Sequence, residues 1–581
     1  MARMQSADLK YAWICVGVML AAMVAVWPFA ELPYADDWAY SYMALRLART
    51  GQLVYNGWES AMLIPHTYWG ALFIRLFGFS FSCLRMSTLP FAAGSAGMCY
   101  PVMRRLGLES SAAVFGTLLA ALSPVFLPVS VSFMSDVPSV FFTLLSIYAL
   151  MHAAANSAPV SESREAFRPE RSAWLWLAVG VLSGFLGGID RQVVWLVPLL
   201  VLPYLAWLRR RRQEFVVVAL GSWVVVVVGI VVMTGWFNRQ PFTLYQFPLL
   251  GEVRLAISKP ALELNMAART GLMMLFLVLP AAVPLVISAA IATLRGTRSR
   301  KVLVGTLLAA LSVALLIHPS LASIPWIASS LNWEGINGTA ALPGRPVVLI
   351  RPVRVIAAVS VYVAAALIVS ELWDRRNRLS RVLHFFVEPP ESQFCLAAMS
   401  LFGAGFMALM MIRAARIDIF DRYFLPAIPW LAALPLLWHQ STRSQAGRQP
   451  RAMFAAWALL ALYGLYGIAS TQDLMALARA RAGAAARLEA AGVRRTAIDA
   501  GFEYDGWTEL LGGGHANHRF VLNPPGAFHR ELGLFPSVKP VYRLEYAPAA
   551  DSVATPFGSV PYVSLLPPFR KQVCMDRIVH P

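Results

Sequence analysis

The chain has 581 residues, of which 58% are hydrophobic and only 14% are charged. Soluble globular proteins carry about 25% charged residues, so this composition excludes that class. The net charge of +18 can indicate nucleic-acid binding, but the arginines lie mainly between apolar runs, as they do in the cytoplasmic loops of membrane proteins. We therefore expect a multi-pass membrane protein with no nucleic-acid partner.

Apolar runs near the length of a membrane-spanning helix recur from residue 11 to residue 470. A run of about 20 apolar residues crosses the hydrocarbon layer as a helix, because lipid offers the backbone no hydrogen-bond partners. The sequence predicts about thirteen transmembrane helices, at 11–30, 82–103, 111–130, 136–152, 173–189, 193–208, 214–235, 266–294, 302–318, 347–372, 394–413, 423–439 and 452–470.

Basic clusters occupy alternate connections between these helices, for example Arg104-Arg105 and the run from Arg209 to Arg212. Loops that remain in the cytoplasm retain Lys and Arg. The pattern therefore predicts a protein of the cytoplasmic (inner) membrane, with a cytoplasmic N-terminus and an extracytoplasmic C-terminal segment.

Three of the predicted outer segments are long: 31–81, 236–265 and 319–346. The first contains amphipathic stretches at 37–49 and 65–78, which predict two helices lying in the membrane interface. Residues 471–581 are more polar and contain a helical stretch followed by a short strand. We predict a transmembrane module at 1–470 and a small extracytoplasmic α/β domain at 471–581.

Two adjacent acids, Asp36 and Asp37, follow the outer end of the first predicted helix. Transfer of a sugar to a hydroxyl group needs a base that accepts the hydroxyl proton. A carboxylate at the membrane surface meets both a lipid-anchored donor and a water-soluble acceptor. The alternative is an ordinary pair of loop acids.

Three further motifs place charged residues at the same predicted outer face. Asp136 begins the fourth predicted helix, where an acid also stabilises the helix dipole without any catalytic role. Arg191 lies in a short turn between two apolar runs, and it either binds a donor phosphate or pairs with Asp190. Arg422 precedes the twelfth predicted helix and either binds phosphate or extends to the interface.

Aromatic residues near the acidic pair are candidates for contacts with a sugar. His66 and Tyr68 begin the second amphipathic stretch, and Tyr40 follows the acidic pair. Aromatic belts are also common at membrane interfaces, so the same residues fit a lipid-facing role.

Together, the motifs resemble the GT-C superfamily of membrane glycosyltransferases, in its bacterial branch related to protein O-mannosyltransferases and the lipid A aminoarabinose transferase. The stretches that carry the resemblance are YADDWAYSYMALRLARTGQ, LFIRLFGFSFSCLRMSTLPFAAG, FMSDVPSVFF, GFLGGIDRQ and DRYFLPAIPW. The resemblance implies a GT-C-like fold and an inverting transfer from a polyprenyl-phosphate-linked sugar donor to an extracytoplasmic lipid, glycan or protein acceptor.

The resemblance also implies roles for individual residues. Asp36 matches the first catalytic acid of the family, with Asp37 in place of the usual Glu. Asp136 matches the second acid, which helps to hold a metal in some relatives, so a divalent metal ion at Asp136 is left open. Arg191 stands where the family often has Lys or Arg. The chain departs from the family at Pro65-His66, where Pro-Pro is common, and in lacking a first-loop lysine.

Two other functions share the helix count and the basic loops. A transporter or flippase of lipid-linked saccharides usually carries ionisable residues near the bilayer midplane, whereas the predicted helix interiors here are nearly free of acids. A polysaccharide polymerase is the second alternative. The sequence does not identify the sugar, the acceptor or the oligomeric state.

Overall fold

The computed structural model describes residues 6–156, 171–294, 298–317, 330–332, 334–337, 342–375, 384–390, 393–414, 419–446, 450–547 and 551–579. Residue 318 of the predicted helix 302–318 lies outside these ranges, as do residues 319–329, 333 and 338–341 of the predicted outer segment 319–346. The described part is mostly helical, with small sheets near its C-terminus and in one outer segment.

The helices of the first half begin with α1, which crosses from the N-terminus, and include two short helices between α1 and α4. They are α1 (Ser6–Val26), α2 (Asp37–Thr50), α3 (Ile64–Phe77), α4 (Phe81–Arg105), α5 (Ser110–Ala121), α6 (Phe126–Ser130), α7 (Asp136–Asn156), α8 (Arg171–Asp190), α9 (Leu196–Leu208), α10 (Gln213–Phe237), α11 (Leu249–Ser258) and α12 (Pro260–Leu294).

The second half continues the bundle and ends in a helix that is much longer than a membrane span. Its helices are α13 (Arg298–Ile317), α14 (Arg351–Arg375), α15 (Phe394–Ala414), α16 (Ile428–Ala446), α17 (Pro450–Ala490) and α18 (Phe502–Gly513).

Each of the thirteen predicted apolar segments overlaps helix within the described residues. By length and composition, eight helices of the described ranges are long and apolar enough to cross a membrane, and three apolar helices are shorter. The protein is therefore an all-α polytopic membrane protein with a small C-terminal α/β part. One predicted helix, 111–130, is wrong as a continuous element: α5 ends at Ala121 and α6 begins at Phe126. Pro124 lies in the gap, and proline cannot donate the backbone hydrogen bond that a helix interior requires.

The basic connections gather at one end of the bundle. Arg104, at the end of α4, lies 2.9 Å from Asp8 at the start of α1, so these two helices are antiparallel. Arg443, in the last turn of α16, lies 3.2 Å from Glu109 just before α5. The starts of α2 and α7 and the end of α8 therefore lie at the opposite end.

The two amphipathic stretches of the first outer segment form α2 and α3. Helix α2 ends at Gly51, whose φ of 73° lies in the left-handed region and whose N–H donates to Leu47 O, a common helix termination. On α3, Tyr68, Leu72 and Leu76 are 56%, 45% and 64% exposed. An exposed apolar stripe of this kind is what a helix lying on a membrane presents to lipid.

The C-terminal part contains a four-stranded sheet with the order β3-β4-β6-β5. In the full chain order, the strands are β1 (Leu331–Asn332), β2 (Gly335–Ile336), β3 (Ile498–Asp499), β4 (Tyr542–Glu545), β5 (Ser552–Val563) and β6 (Arg570–Ile578). Strand β3 is parallel to β4, and the other pairs of this sheet are antiparallel.

Helix α17 runs without a break from residue 450 to residue 490, so the predicted domain boundary at residue 470 falls inside a continuous helix. One buried apolar cluster contains Leu32 from the first outer segment, Leu477 from α17, and Leu544 and Val573 from the sheet. The division into two domains stays a prediction, and the described contacts pack the C-terminal part directly against the first outer segment.

Candidate active site at the end opposite the basic loops

Asp36 lies at the start of α2, directly after a strained residue. Ala35 has a φ of 49°, which costs an L-residue about 1–2 kcal/mol. One carboxylate oxygen of Asp36 accepts a hydrogen bond from Trp58 Nε1 at 3.0 Å. The other oxygen is paired with the Arg422 guanidinium. The Asp36 side chain is 17% exposed, so it remains open to solvent while both oxygens are held.

Asp136, the first residue of α7, is paired with Arg191 across the same end of the bundle. The distance from Arg191 Nη1 to Asp136 Oδ2 is 2.9 Å, and the Asp136 side chain is 2% exposed. Asp136 Oδ2 accepts no hydrogen bond of good geometry from the described residues, so this contact is an ion pair. Arg191 Nη1 also donates to Ser135 Oγ at 3.3 Å. The sequence alternative, an isolated pair between Arg191 and Asp190, is not what the structure shows.

The two arginines meet at one tyrosine. The Arg191 guanidinium lies 5.1 Å from the centroid of the Tyr423 ring, and that of Arg422 lies 5.8 Å from the same centroid. Burial lowers the pKa of Arg422, but Asp36 and then Asp136 raise it, and the result is a pKa well above the ordinary value. The site therefore holds two charged guanidinium groups and two carboxylates in one cluster.

A second carboxylate holds the Arg422 motif in place. Asp421 accepts the backbone N–H groups of Ser330 at 3.2 Å and of Leu331 at 2.8 Å. It also accepts the N–H of Arg422 at 2.8 Å. Asp421 thereby fixes the short 3-10 helix at 421–427 to the start of the β1-β2 hairpin.

Asp37 points away from Asp36 and is buried. Its two carboxylate oxygens accept the backbone N–H groups of Tyr34 at 2.6 Å and Phe133 at 3.1 Å. Burial raises the pKa of Asp37 to about 7, although Arg85 and these N–H groups lower it. Asp37 thus ties the start of α2 to the loop that precedes Asp136.

The three aromatic candidates occupy different surroundings. Tyr40 is buried and lies near both acids and both arginines of the cluster. His66 stacks on Phe133 at 3.9 Å, its Nε2 is 3.1 Å from Phe133 O, and burial lowers its pKa to about 4. Tyr68 lies on the exposed stripe of α3, and no hydrogen bond or ring contact among the described residues joins it to the cluster. Its helix turns Tyr68 outward, and its contact with substrate stays a prediction.

Sequence reasoning did not identify Trp58 or Tyr423 as members of the site. Trp58 lies in the loop between α2 and α3, which has no periodicity that would indicate a buried or a functional face. Tyr423 is part of the DRYFLPAIPW motif, but only the packing of its 3-10 helix against α7 brings it under both guanidinium groups.

The surroundings of Asp136 do not fit a metal site. No group of three or more His, Cys, Asp or Glu side chains that could hold a metal ion occurs in the described ranges. Arg191 occupies the side of the Asp136 carboxylate that a cation would need.

No family model and no curated protein matches the chain. Among solved structures, the chain is similar to ArnT from Cupriavidus metallidurans bound to undecaprenyl phosphate, with 12% identity and a TM-score of 0.43 over 85% of this chain and 83% of that chain. The apo state of the same protein gives 13% identity and a TM-score of 0.33 over 86% of this chain and 84% of that chain.

The chain is also similar to the oligosaccharyltransferase AglB from Archaeoglobus fulgidus, solved in complex with an inhibitory peptide and a dolichol-phosphate. The identity is 14% and the TM-score 0.40, over 83% of this chain and 58% of that chain.

Proposed function

We propose that the protein is an inverting glycosyltransferase of the cytoplasmic membrane that moves a sugar from a polyprenyl-phosphate donor to an extracytoplasmic acceptor. The observation that carries the proposal is the cluster in which Asp36, Asp136, Arg191 and Arg422 meet around Tyr423. These residues are spread over 386 positions of the chain, and they converge at the end of the bundle opposite the basic loops.

Asp36 is the base in this proposal. In the described cluster it is the most accessible carboxylate, with a side chain 17% exposed, whereas Asp37 and Asp136 are 1% and 2% exposed. A soluble hydroxyl acceptor reaches only an accessible carboxylate. Asp36 takes the hydroxyl proton as the acceptor oxygen forms its bond to C1 of the sugar.

Arg191 and Arg422 stabilise the leaving group. As the bond between C1 and the phosphate oxygen breaks, the electron pair stays on the polyprenyl phosphate. Two guanidinium groups placed beside the developing charge stabilise it without reorganisation. Arg422 Nε is buried and has no hydrogen-bond partner among the described residues, so it is available to a phosphate oxygen.

Asp136 and Asp37 act as positioning residues. Asp136 orients Arg191 through its ion pair, and Asp37 fixes the start of α2, on which Asp36 stands. Tyr40 borders the same cluster and lies where a bound sugar would contact it.

The orientation of the chain follows from its charges. The end that collects Arg104 and Arg443 is the cytoplasmic end by the positive-inside rule. The cluster and the C-terminal sheet are then extracytoplasmic, on the side where a translocated lipid-linked donor is available.

The test is deletion of the gene in the source organism, followed by comparison of envelope lipids, glycans and glycoproteins by mass spectrometry. The wild-type gene should restore whatever modification is lost, whereas Asp36→Asn should not. Loss of a general base lowers a rate by about 10²–10⁴-fold.

Asp551→Asn is the matched control. Asp551 is also paired with an arginine, Arg543 at 3.1 Å, but it is 53% exposed and lies on the C-terminal sheet. It should restore the modification fully. Full restoration by Asp36→Asn at normal expression would rule out Asp36 as the base.

A further inference from the structure

Trp58 touches the proposed base directly. Its indole N–H donates to Asp36 Oδ1 at 3.0 Å, and Arg422 takes the other oxygen. With one partner on each oxygen, the plane of the Asp36 carboxylate is fixed.

The loop that carries Trp58 is held by backbone contacts from distant parts of the chain. Asn56 Nδ2 donates to Ala39 O at 2.9 Å, and Gly57 N donates to Phe242 O at 2.7 Å. Ala516 N donates to Asn56 O at 2.8 Å. Gly57 has a φ of 85°, and a Cβ there would lie 2.5 Å from Ala516 O. Only glycine allows the C-terminal part to approach this loop so closely.

Aromatic rings of the C-terminal part surround Trp58. The ring centroid of Trp58 lies 5.4 Å from that of Phe502 and 5.6 Å from that of His518. Trp38 of α2 lies 5.5 Å from Trp58 and 5.9 Å from Phe502. Phe535 contacts both Trp38 and Phe502. The indole is therefore clamped between α2 and the C-terminal part.

We propose that Trp58 is a positioning residue for Asp36 and that the rings of the C-terminal part hold Trp58 in place, so that residues 502–535 are a working part of the active site. This inference rests on the proposed role of Asp36. It gives the C-terminal part a role in catalysis that is separate from any contact with acceptor.

A hydrogen bond to an ionised carboxylate favours the charged form and restricts its orientation. Trp58→Phe keeps an aromatic ring in the clamp but removes the N–H. The variant leaves the other charged or titratable groups around Asp36 unchanged. They include Arg422, Arg191, Asp136, Tyr40 and Tyr423, the neighbouring Asp37 and Asp421, and His518 beside Trp58. Any change in the pH profile then reports the lost hydrogen bond.

The assay uses membranes that contain the full chain, mixed with membranes of the deletion strain, which supply both donor and acceptor. Transfer is followed by mass spectrometry as a function of pH. For Trp58→Phe, we expect the acidic limb of the profile to move up by about one pH unit. We also expect the maximal rate to fall about tenfold with little change in the concentration of acceptor membranes that gives half the rate.

Trp207→Phe is the matched control. Like Trp58, Trp207 donates its indole N–H in a hydrogen bond, but its acceptor is the backbone carbonyl of Val387, at 3.2 Å. Trp207 lies at the end of α9 beside the basic run, far from the cluster. Its pH profile should be that of the wild type.

Phe502→Leu supplies an independent variant, because it loosens the clamp from the C-terminal side and leaves the Trp58 N–H intact. It should shift the acidic limb in the same direction by a smaller amount. If Trp58→Phe does not fold, as judged by size exclusion and thermal unfolding, Phe502→Leu decides the question. A folded variant with an unchanged profile overturns the inference. Transfer by Asp36→Asn at the wild-type rate would instead overturn the proposed function, so the two failures are distinct.

Discussion

Asp473 holds three separate parts of the chain together, and its replacement by asparagine gives a prediction that is independent of the proposed chemistry. Its two oxygens pair with Arg345 at 2.6 Å and with Lys571 of β6 at 2.7 Å. The side chains of Asp473, Arg345 and Lys571 are 0%, 0% and 1% exposed. In Asp473→Asn, two buried cations lose the counter-charge that they share, and the amide NH₂ of asparagine faces one of them.

Breaking one buried ion pair costs about 3–5 kcal/mol. Since two pairs share this carboxylate, we expect a cost near the upper end of that range, which is a large part of the total stability of a typical domain, about 5–15 kcal/mol. Asp551→Asn removes an ion pair with Arg543 at 3.1 Å whose acid is 53% exposed. Such exposed pairs contribute about 0–1 kcal/mol, which makes this variant the control.

Hydrogen exchange of the β6 amides in nanodiscs measures the local opening of the sheet. A loss of about 3 kcal/mol or more corresponds to exchange that is at least about 100-fold faster, at about 1.4 kcal/mol for each factor of ten. Asp551→Asn should change exchange in β6 by less than about fivefold. If Asp473→Asn also stayed within fivefold of wild type, the buried triad would not be what fastens the sheet to α17.

Two further predictions concern ligand affinity and pH. Arg191→Gln and Arg422→Gln should each weaken binding of undecaprenyl phosphate in nanodiscs by about tenfold to a hundredfold, because a hydrogen bond to a charged group contributes about 1.5–3 kcal/mol. Equal affinity in both variants and the wild type would contradict the phosphate role. The control is Arg210→Gln, which changes an arginine at the basic end of the bundle. Burial raises the pKa of Glu59 to about 8, so the folded state retains a proton that the unfolded state loses near its ordinary pKa, and stability should fall as pH rises from about 4.5 to 8. Glu59→Gln should flatten that fall in thermal-unfolding midpoints, whereas an equally steep fall in this variant would show that another group is responsible.

The helices could be predicted from the sequence because each depends on a local pattern. The periodicity of 37–49 and 65–78 gave α2 and α3, and the apolar runs gave the bundle. The break between α5 and α6 could also have been found, since Pro124 interrupts the predicted helix. It is harder to predict which side chains of α3 are buried and which are exposed. His66 and Tyr68 are two positions apart, and a helix turns such neighbours to opposite sides.

The site was predicted in part. The acids and arginines were identified as separate motifs, but their pairing was not, because the 386 positions between Asp36 and Arg422 are bridged only by the packing of the whole bundle. The residue pattern alone did not separate the two adjacent acids; only the family resemblance assigned the base to Asp36. Asp36 faces Arg422 and solvent whereas Asp37 turns into the core, because consecutive residues at the start of a helix point about 100° apart.

Helix α17 connects the membrane bundle to the C-terminal sheet as one unbroken helix. At about 1.5 Å per residue, its 41 residues extend about 60 Å, roughly twice the thickness of the hydrocarbon layer. One residue inserted between Asp473 and the end of this helix would rotate the following part of the chain by about 100° about the helix axis. The sheet would then lose its packing against the helix. Insertions and deletions should therefore be rare in this part of α17 among homologues, whereas the lengths of loops elsewhere can vary.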